Sequence, residues 1–444
     1  MQMKINRCSV MSFIFAQNKK TMLQLQVLRQ DAEDVKQKLR IKNFTDVHIV
    51  DEILELDTQR RKYTFHYDET KSKIKAASKI IGGLMAKGDK EAAEKNKKEV
   101  EELKMQLQSI EPLLAETEKQ LNDLLVGLPN LPSDQVPAGK TPEDNVIVKQ
   151  EGDLPVLPQN AVPHWELAKK YDIIDFELGN KITGSGFPLY KGKGAKLQRA
   201  LIQYFLEYNI AAGYTEYEPP FMVNEASAYG TGQLPDKEGQ MYHATADNFY
   251  LIPTAEVPLT NIYRDEMLKE ADLPVKMTAY TPCFRREAGS YGKDVRGLNR
   301  VHQFDKVELV QLTTPEKSYA ALQEMVLHVE KLLQSLGLPY RILKLCGGDM
   351  SFTSALTFDF EVYSAAQQRW LEVSSVSNFE TFQTNRLKIR YKDAEGKTQL
   401  AHSLNGSSLA LPRILACLLE NNQAAEGIHL PQPLHFYFGN SVLV

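Results

Sequence analysis

The chain has 444 residues, of which 43% are hydrophobic and 25% are charged, and these proportions exclude collagen-like and wholly disordered proteins. At roughly 100 to 200 residues per domain, the length allows two or three folded domains. Lys and Arg number 53 against 57 Asp and Glu, and the net charge of −4 gives the whole molecule no field that would attract a polyanion. Any basic surface must therefore be local.

The spacing of the cysteines and the lengths of the apolar runs indicate the cellular compartment of the protein. No C-x-x-C pair or His-spaced partner occurs among Cys8, Cys283, Cys346 and Cys417. We therefore predict a reducing, cytoplasmic location and no structural zinc. The early apolar run 11–15 is shorter than the core of a signal peptide, and no stretch approaches the ~18 to 20 apolar residues of a membrane helix. We interpret residues 1–21 as a disordered extension or a start-site artefact, with Met22 as an alternative first residue.

Residues 51–126 are dense in Lys, Glu, Ala and Leu and predict two long helices. Apolar residues recur at alternating spacings of three and four, with Thr as the polar exception, which is typical of a coiled-coil seam. The seam consists of Tyr63, Tyr67, Thr70, Ile74, Ala77, Ile81 and Leu84, then Val100, Leu103, Leu107, Ile110, Leu114, Thr117, Leu121 and Leu124. Between the two series, Gly88 can end one helix in the left-handed conformation and Asp89 can cap the next. The sequence predicts an antiparallel hairpin of helices about 35 residues and ~50 Å long.

The charge on this hairpin is uneven. Residues 60–98 contain 12 Lys or Arg and 5 Asp or Glu, a net charge of +7 that leaves −11 for the rest of the chain. A solvated coiled-coil face would explain such a run. A finger that lies along the phosphates of a nucleic acid would explain it too. Spacing alone leaves both interpretations open.

Residues 127–160 are rich in Pro and polar residues and predict a connector. From 161 to 444, short β-rich runs and amphipathic helices mix without strict alternation. This pattern predicts an α+β domain on an antiparallel sheet. The sequence has neither a G-x-x-x-x-G-K-[ST] loop nor a strand-borne G-x-G-x-x-G motif.

Two segments carry residues suited to a nucleoside triphosphate. The basic, glycine-bearing stretch 284–298 offers Arg285 for phosphates, and Phe304 follows it as a flat surface for a base. Arg413 begins an apolar helix and can face a nucleotide from the opposite side. Between them, Glu372 and Ser375 offer oxygen ligands that suit Mg²⁺ bridging phosphates. The alternatives are a surface ion-pair cluster for the basic stretch and a turn or cap for Glu372 and Ser375.

These segments resemble the motifs of class II aminoacyl-tRNA synthetases. Arg285-x-Glu287 with the loop to 302–304 is similar to motif 2, and 404–407 through Arg413 is similar to motif 3. Pro219-Pro220 after 214–216 is similar to motif 1, the dimer-forming element. The sequences of segments 254–256, 284–304 and 372–380 resemble those of the bacterial-type seryl-tRNA synthetases. The helical hairpin resembles the tRNA-binding arm of that family. The resemblance covers about 22–440 and implies a tRNA-binding domain at 22–126 and a catalytic domain at 161–444.

The resemblance also implies roles for individual residues. It assigns catalysis to Arg285, Glu287 and Arg413. ATP binding falls to Arg285, Arg286, Glu287, Val301, Phe304, Glu372, Val373, Ser374, Ser375 and Arg413. Serine binding falls to Thr254, Ala255, Glu256, Arg285, Glu308, Asn405 and Ser407. The metal ligands are Glu372 and Ser375, and the tRNA contacts are Lys71, Lys73, Lys75 and Lys79. Ser408 and Pro412 depart from the family pattern near motif 3, where glycine is common.

The implied activity is a serine–tRNA ligase that uses ATP and Mg²⁺ and has tRNA(Ser) as its acceptor, while the charging of tRNA(Sec) stays open. The implied assembly is a homodimer formed around Pro219 and Pro220, without a membrane partner. Two alternatives stay open at this point. One is a synthetase-like RNA-binding protein that has lost aminoacylation, and the other is a ligase that loads an amino acid onto a carrier protein.

Overall fold

The computed structural model describes residues 25–287 and 295–444. The predicted extension 1–21 and most of the basic loop, 288–294, lie outside the described residues. The chain forms two compact units. The first contains the described residues up to 36 together with 46–128, and the second contains 37–45 and 129–444. The domain boundaries predicted at 126 and 161 stay predictions.

The helices have the following bounds: α1 Leu25–Gln30, α2 Ala32–Ile41, α3 Ile49–Lys87, α4 Lys90–Gly127, α5 His164–Lys170, α6 Phe176–Ile182, α7 Gly192–Ala211, α8 Glu225–Thr231, α9 Glu256–Asn261, α10 Ser318–Ser335, α11 Phe382–Leu387, α12 Leu411–Asn421 and α13 His435–Phe438. The strands are β1 Val146–Glu151, β2 Ile174–Asp175, β3 Leu189–Tyr190, β4 Thr215–Glu216, β5 Met222–Asn224, β6 His243–Ala244, β7 Phe249–Leu251, β8 Met267–Lys269, β9 Val275–Phe284, β10 Gln303–Thr313, β11 Tyr340–Lys344, β12 Leu356–Ser364, β13 Arg369–Glu380, β14 Arg390–Lys392, β15 Thr398–Leu400, β16 His402–Ala410, β17 Ile428–His429 and β18 Val442–Leu443.

The predicted helical hairpin is confirmed in α3 and α4, which pack along their lengths. Gly88 ends α3 with a φ of 80° and closes the helix by donating its N–H to Leu84 and Met85 carbonyls. Asp89 caps α4 by accepting from the N–H of Ala92 at 3.1 Å. The predicted seam residues are buried or half-buried along both helices. The heptad pattern therefore determines which faces of the two helices meet.

Two glycines of the hairpin offer a matched test of backbone conformation. Gly88→Ala is expected to destabilise the turn by about 1 kcal/mol, because an L side chain strains the left-handed region. Gly82 lies inside α3, and a methyl group added there would meet open space. Gly82→Ala is therefore expected to stabilise the helix by roughly 0.5–1 kcal/mol. Amide hydrogen exchange in the arm measures both changes. Equal effects of the two substitutions would contradict the turn geometry.

The second unit is built on an eight-stranded sheet in the order β1-β11-β12-β13-β16-β10-β9-β4. Its pairs are antiparallel except for the short parallel pair of β4 and β9. Helices α7, α10 and α12 pack against this sheet and bury its main core. The predicted α+β class with an antiparallel sheet is confirmed. The predicted connector, 127–160, contributes the edge strand β1 to the sheet.

Strand register places the ends of several strands at one edge of this sheet. Phe284, the last residue of β9, pairs with Gln303, the first residue of β10. Ala410, the last residue of β16, pairs with Lys306 near the same end of β10. The residues that follow β9 and β16 therefore emerge at the same end of the sheet, on either side of β10, although they lie more than a hundred positions apart in the sequence. In the described part of the chain, no helix is long and apolar enough to cross a membrane.

Candidate active site

A cluster of buried polar side chains lies on β10, β16 and the start of α9. Glu308 on β10 pairs with Ser407 on β16, so their side chains share one face of the sheet. The Nδ2 of Asn405 donates to Glu256 Oε2 at 2.8 Å and to Glu308 Oε1 at 3.1 Å. A single amide thus links two carboxylates, both of which are buried.

Lys306 provides a positive charge within this cluster. Its Nζ lies 2.5 Å from Glu308 Oε2, with side-chain exposures of 8% and 0%. The same Nζ donates to Thr254 Oγ1 at 2.8 Å. Lys306 offsets one of the two carboxylates, so the cluster keeps an excess of acceptor oxygens and negative charge. Such a site suits a small ligand that carries an ammonium group and a hydroxyl group.

Gln383 on α11 holds the other carboxylate from the opposite side. Its Nε2 donates to Glu256 Oε1 at 2.5 Å, and its Oε1 accepts from Ser403 Oγ at 2.7 Å. The second bond fixes which end of the Gln383 amide faces Glu256. Glu256 therefore has each carboxylate oxygen bonded to a different amide and has one defined orientation.

Burial and charge repulsion set the ionisation of Glu256. Burial, together with the charge of the neighbouring Glu308 carboxylate, raises its pKa to about 7. The hydrogen bond from Gln383 and the charges of Lys306 and Arg285 oppose this rise. Burial also raises the pKa of Glu308, against the effect of Lys306. A bound cation would restore the ionised form of both carboxyl groups.

Arg285 and Phe304 lie together at the edge where β9 ends. The guanidinium carbon of Arg285 is 5.3 Å from the centre of the Phe304 ring. The N–H of Arg285 donates to the carbonyl of His302 at 2.9 Å, which extends the β9–β10 pairing to the arginine. Glu287 has a φ of 51° and an ion pair with Arg300 at 2.9 Å. The predicted motif 2 residues thus form one half-buried basic and aromatic surface.

Arg413 lies in the first turn of α12 and is held from two sides. Its Nε donates to the carbonyl of Asn299 at 3.0 Å, and its Nη1 donates to the carbonyl of Glu372 at 2.8 Å. The Nη1 is also 3.4 Å from the Glu372 carboxylate. Pro412 fits within this first turn, where a missing N–H costs nothing. Arg413 therefore joins the segment after the basic loop to strand β13.

An acidic site lies beside Arg413 on β12 and β13. A bulge at Val373 brings Glu372 and Ser375 to the same face, and Asp359 pairs with Ser375. Burial and the charge of Glu372 raise the pKa of Asp359 well above its usual range, against a hydrogen bond from Ser375. The buried Oδ1 of Asp359 has no hydrogen-bond partner among the described residues. These oxygens fit a divalent cation, although no group of three His, Cys, Asp or Glu ligands occurs in residues 25–287 and 295–444.

Comparison with known proteins assigns the family. Residues 22–132 match the family described as the seryl-tRNA synthetase N-terminal domain, and residues 241–422 match the class II tRNA synthetase core domain (G, H, P, S and T). A serine–tRNA ligase from Salinibacter ruber is 49% identical, covering 94% of this chain and 98% of its own. Another, from Methylacidiphilum infernorum, is 47% identical, covering 95% and 100%. The chain belongs to the seryl-tRNA synthetase family.

Solved structures agree with this assignment. The seryl-tRNA synthetase from Pyrococcus horikoshii, complexed with ATP, superposes with a TM-score of 0.88 at 31% identity, covering 95% of this chain and 99% of its own. The cytoplasmic serine–tRNA ligase from Naegleria fowleri, in complex with AMP, gives a TM-score of 0.83 at 27% identity, covering 95% and 98%. The predicted activity, a serine–tRNA ligase, is confirmed by the full-length relatives.

The structure of this seryl-tRNA synthetase family member shows which predicted site residues lie together and which are exposed or have buried side chains. It brings Thr254, Glu256, Glu308, Asn405 and Ser407 into the polar cluster described above, with Ala255 as the residue before α9. Arg286 is exposed, and its N–H donates to the carbonyl of Gln240 at 2.9 Å. Three further predicted ATP residues have buried side chains, so only their backbone groups are available to a ligand: Val301, Val373 and Ser374. The Ser374 hydroxyl donates to the carbonyl of Ser407 at 2.6 Å and so supports that residue.

Three residues of the site were absent from the sequence-based prediction: Lys306, Gln383 and Asp359. Lys306 could have been predicted from the sequence, because it lies two positions before Glu308 on the same strand and its side chain must therefore share the face of Glu308. Asp359 and Gln383 could not have been predicted in this way, since their roles depend on the pairing of β12 with β13 and on the hydrogen bond from Gln383 on α11 to Glu256. The predicted tRNA contacts Lys71, Lys73, Lys75 and Lys79 are exposed on α3.

Proposed function

We propose that this chain makes seryl-tRNA in two steps at the sheet edge where β9 and β16 end. The observation that carries the proposal is the convergence at this edge: Arg285 follows β9, Arg413 follows β16, and the polar cluster around Glu308 lies on the strand between them. A cationic surface beside a small polar pocket suits an adenylate-forming reaction, in which a carboxylate attacks the α-phosphate of ATP.

In the first step, the serine carboxylate attacks the α-phosphate, and pyrophosphate leaves. Arg285 is placed to neutralise charge on the α-phosphate, while Phe304 offers a face to the adenine. Arg413 approaches from the side of β13 and neutralises the outer phosphates. No protein nucleophile is needed, because positioning and charge neutralisation provide the catalysis. In the second step, a tRNA hydroxyl attacks the seryl-adenylate carbonyl and releases AMP.

The residues that would hold Mg²⁺ are Glu372 and Ser375, with Asp359 beside them. The ion would supply positive charge that offsets the charge of the ATP phosphates. The orphaned Oδ1 of Asp359 supports this assignment, since a buried carboxylate oxygen without a partner is costly in the absence of a cation.

Serine recognition would rest on the cluster of Glu256, Glu308, Asn405 and Ser407. Its bonding groups would be left unpaired by alanine, and a site built to bond a substrate hydroxyl can reject an analogue that lacks it by ~10⁴ or more. Threonine would have to be excluded by size.

We also propose that the hairpin binds tRNA and that two copies of the chain assemble around Pro219 and Pro220. Phe221 and Met222, next to these prolines, expose 40% and 45% of their surface, which supports an interface there. In such a homodimer, the arm of one subunit would serve the active site of the other. We also propose a cytoplasmic location, in line with the scattered cysteines, which form no C-x-x-C pair in the sequence.

Neutralising the arm lysines tests the tRNA proposal. The quadruple substitution of Lys71, Lys73, Lys75 and Lys79 by Ala is expected to raise the KM for tRNA about tenfold or more, because each lost phosphate contact weakens binding. Serine-dependent ATP–pyrophosphate exchange, which needs no tRNA, should change less than about twofold. A control with the same loss of charge replaces four exposed lysines of the second unit: Lys181, Lys331, Lys392 and Lys397. An equal loss in both assays would contradict the separation of the arm from activation.

Pyrophosphate exchange with a panel of amino acids, using purified protein without RNA, tests the activity itself. We expect exchange with serine alone. No exchange with any amino acid would favour an RNA-binding protein without aminoacylation. Exchange followed by transfer to a carrier protein, and not to tRNA, would favour the carrier-protein ligase.

A further inference from the structure

A buried imidazole–carboxylate pair lies outside the residues assigned to substrates. His164, the first residue of α5, and Glu420, in the last turn of α12, are both fully buried. The Nδ1 of His164 is 2.6 Å from Glu420 Oε1, and the backbone N–H of His164 donates to the same oxygen at 2.9 Å. Ser364 also donates its hydroxyl to Glu420. Complete burial of such a pair costs desolvation free energy. A role in orienting neighbouring groups would explain why the pair is present.

The other ring nitrogen of His164 connects the pair to the segment that follows the basic loop. Its Nε2 accepts the N–H of Leu298 at 2.8 Å. Because Nε2 accepts, Nδ1 must carry the ring proton and donate to Glu420, which assigns one neutral tautomer. Gly297 passes so close that an added Cβ would lie 2.2 Å from this Nε2. The backbone at 297–298 is therefore fixed against the imidazole.

A second link joins Glu420 to the same segment. Gln367 donates its Nε2 to Glu420 Oε1 at 3.0 Å, and its Oε1 accepts from Asn299 Nδ2 at 2.8 Å. Leu298 and Asn299 are thus bonded to the pair through backbone and side chain respectively. The carbonyl of Asn299 is the group that accepts from Arg413 Nε at 3.0 Å.

The geometry of α12 places the two ends of this series of contacts, Arg413 and Glu420, on one face of the helix. Arg413 and Glu420 are seven residues apart on α12, which is about two turns, so they lie on the same face some 10 Å apart. One face of α12 therefore meets the 297–299 segment twice, directly through Arg413 and indirectly through Glu420 and His164. Burial favours the neutral form of Glu420, but the bonds from His164 and Ser364 outweigh it and lower the pKa of Glu420. The ionised carboxylate keeps its donors in place.

We infer that His164 and Glu420 are positioning residues for ATP activation, because they fix the Asn299 carbonyl that orients the guanidinium of Arg413. The inference rests on the proposed role of Arg413 in nucleotide binding. Neither residue touches a substrate in this scheme. Their effect reaches the nucleotide only through the position of Arg413.

The test uses pyrophosphate exchange with the full-length protein. His164→Leu keeps much of the side-chain volume but loses both ring hydrogen bonds, and it is expected to raise the KM for ATP about tenfold. The KM for serine should stay within about twofold, because Arg413 does not contact the polar cluster. His164→Gln can donate to Glu420 and accept from Leu298, and it should recover most of the loss. A general packing defect would predict no such selectivity and no rescue by glutamine.

Matched variants separate the possible failures. His435→Leu removes another imidazole bond, to the carbonyl of Leu430, and should leave both KM values within about twofold. Arg413→Ala must itself raise the KM for ATP, and if it does not, the proposed role of Arg413 fails. If Arg413→Ala has that effect, and His164→Leu leaves the KM for ATP unchanged or raises both KM values equally, the inference is overturned.

Two further measurements keep the inference testable. In the double variant His164→Leu/Arg413→Ala, the KM for ATP should match that of Arg413→Ala alone, and a fully additive effect would contradict the coupling. If His164→Leu does not fold, Gln367→Leu replaces it, since this partly exposed side chain links the pair to Asn299. A selective rise in the KM for ATP supports the inference, and an unchanged KM overturns it.

Discussion

Replacing Arg285 with alanine is expected to lower kcat/KM for serine-dependent ATP–pyrophosphate exchange by about 10²–10³-fold or more, the range found for one preorganised electrostatic group. Arg285 lies against Phe304 and extends the β9–β10 pairing through its backbone. Its positive charge also acts on the buried carboxyl groups of Glu256 and Glu308. Truncation would therefore remove a phosphate contact and perturb the serine pocket together.

The lysine substitution at the same position separates charge from shape. Arg285→Lys keeps the positive charge but loses the planar fork that stacks on Phe304 and bonds two oxygens at once, so we expect an intermediate loss. Arg390→Ala serves as the control, because Arg390 lies on β14 in a separate three-stranded sheet and its side chain donates to the carbonyl of Lys388. If Arg285→Ala retained near-normal exchange, the nucleotide would have to bind elsewhere.

Local patterns predict the helical hairpin well because its determinants are close in sequence. The heptad spacing identifies the seam, and Gly88 with Asp89 identifies the turn, so no distant residue is needed. Strand β1 is different. Its side chains are exposed along its whole length, and its place depends on pairing with β11, almost two hundred residues away. A stretch with Pro-rich flanks is easily interpreted as a connector for that reason.

The same contrast applies to the site. Arg285, Glu308 and Arg413 belong to motifs that resemble a known family, so the sequence assigns them. Gln383 and Asp359 become part of the site only through contacts between elements, and nothing in their own neighbourhood marks them. The pair of His164 and Glu420 is separated by more than 250 residues, and its link to Arg413 requires the register of the helix and the path of the loop together.

Replacing Lys306 with methionine is expected to have the second large effect, a rise of about 10²-fold or more in the KM for serine, since breaking one side of a buried ion pair costs several kcal/mol. Lys306 partly compensates Glu308 and lowers the pKa of Glu256. Without it, both carboxyl groups bind protons more tightly. A protonated pair has lost the negative charge that the serine ammonium group requires.

The pH dependence distinguishes this cause from simple loss of packing. Because the pKa of Glu256 is about 7 in the free protein, kcat/KM for serine should fall as the pH drops below 7, where Glu256 is protonated. Lys306→Met raises that pKa, so the acid limb of the profile should move to higher pH and the variant should regain activity in alkaline buffer. Lys276→Met, on the neighbouring strand β9 with an ion pair to Glu324 at 3.6 Å, should keep the wild-type profile. A uniform loss at every pH in Lys306→Met would mean that Lys306 supports the pocket by shape and not through the ionisation of its two carboxylates.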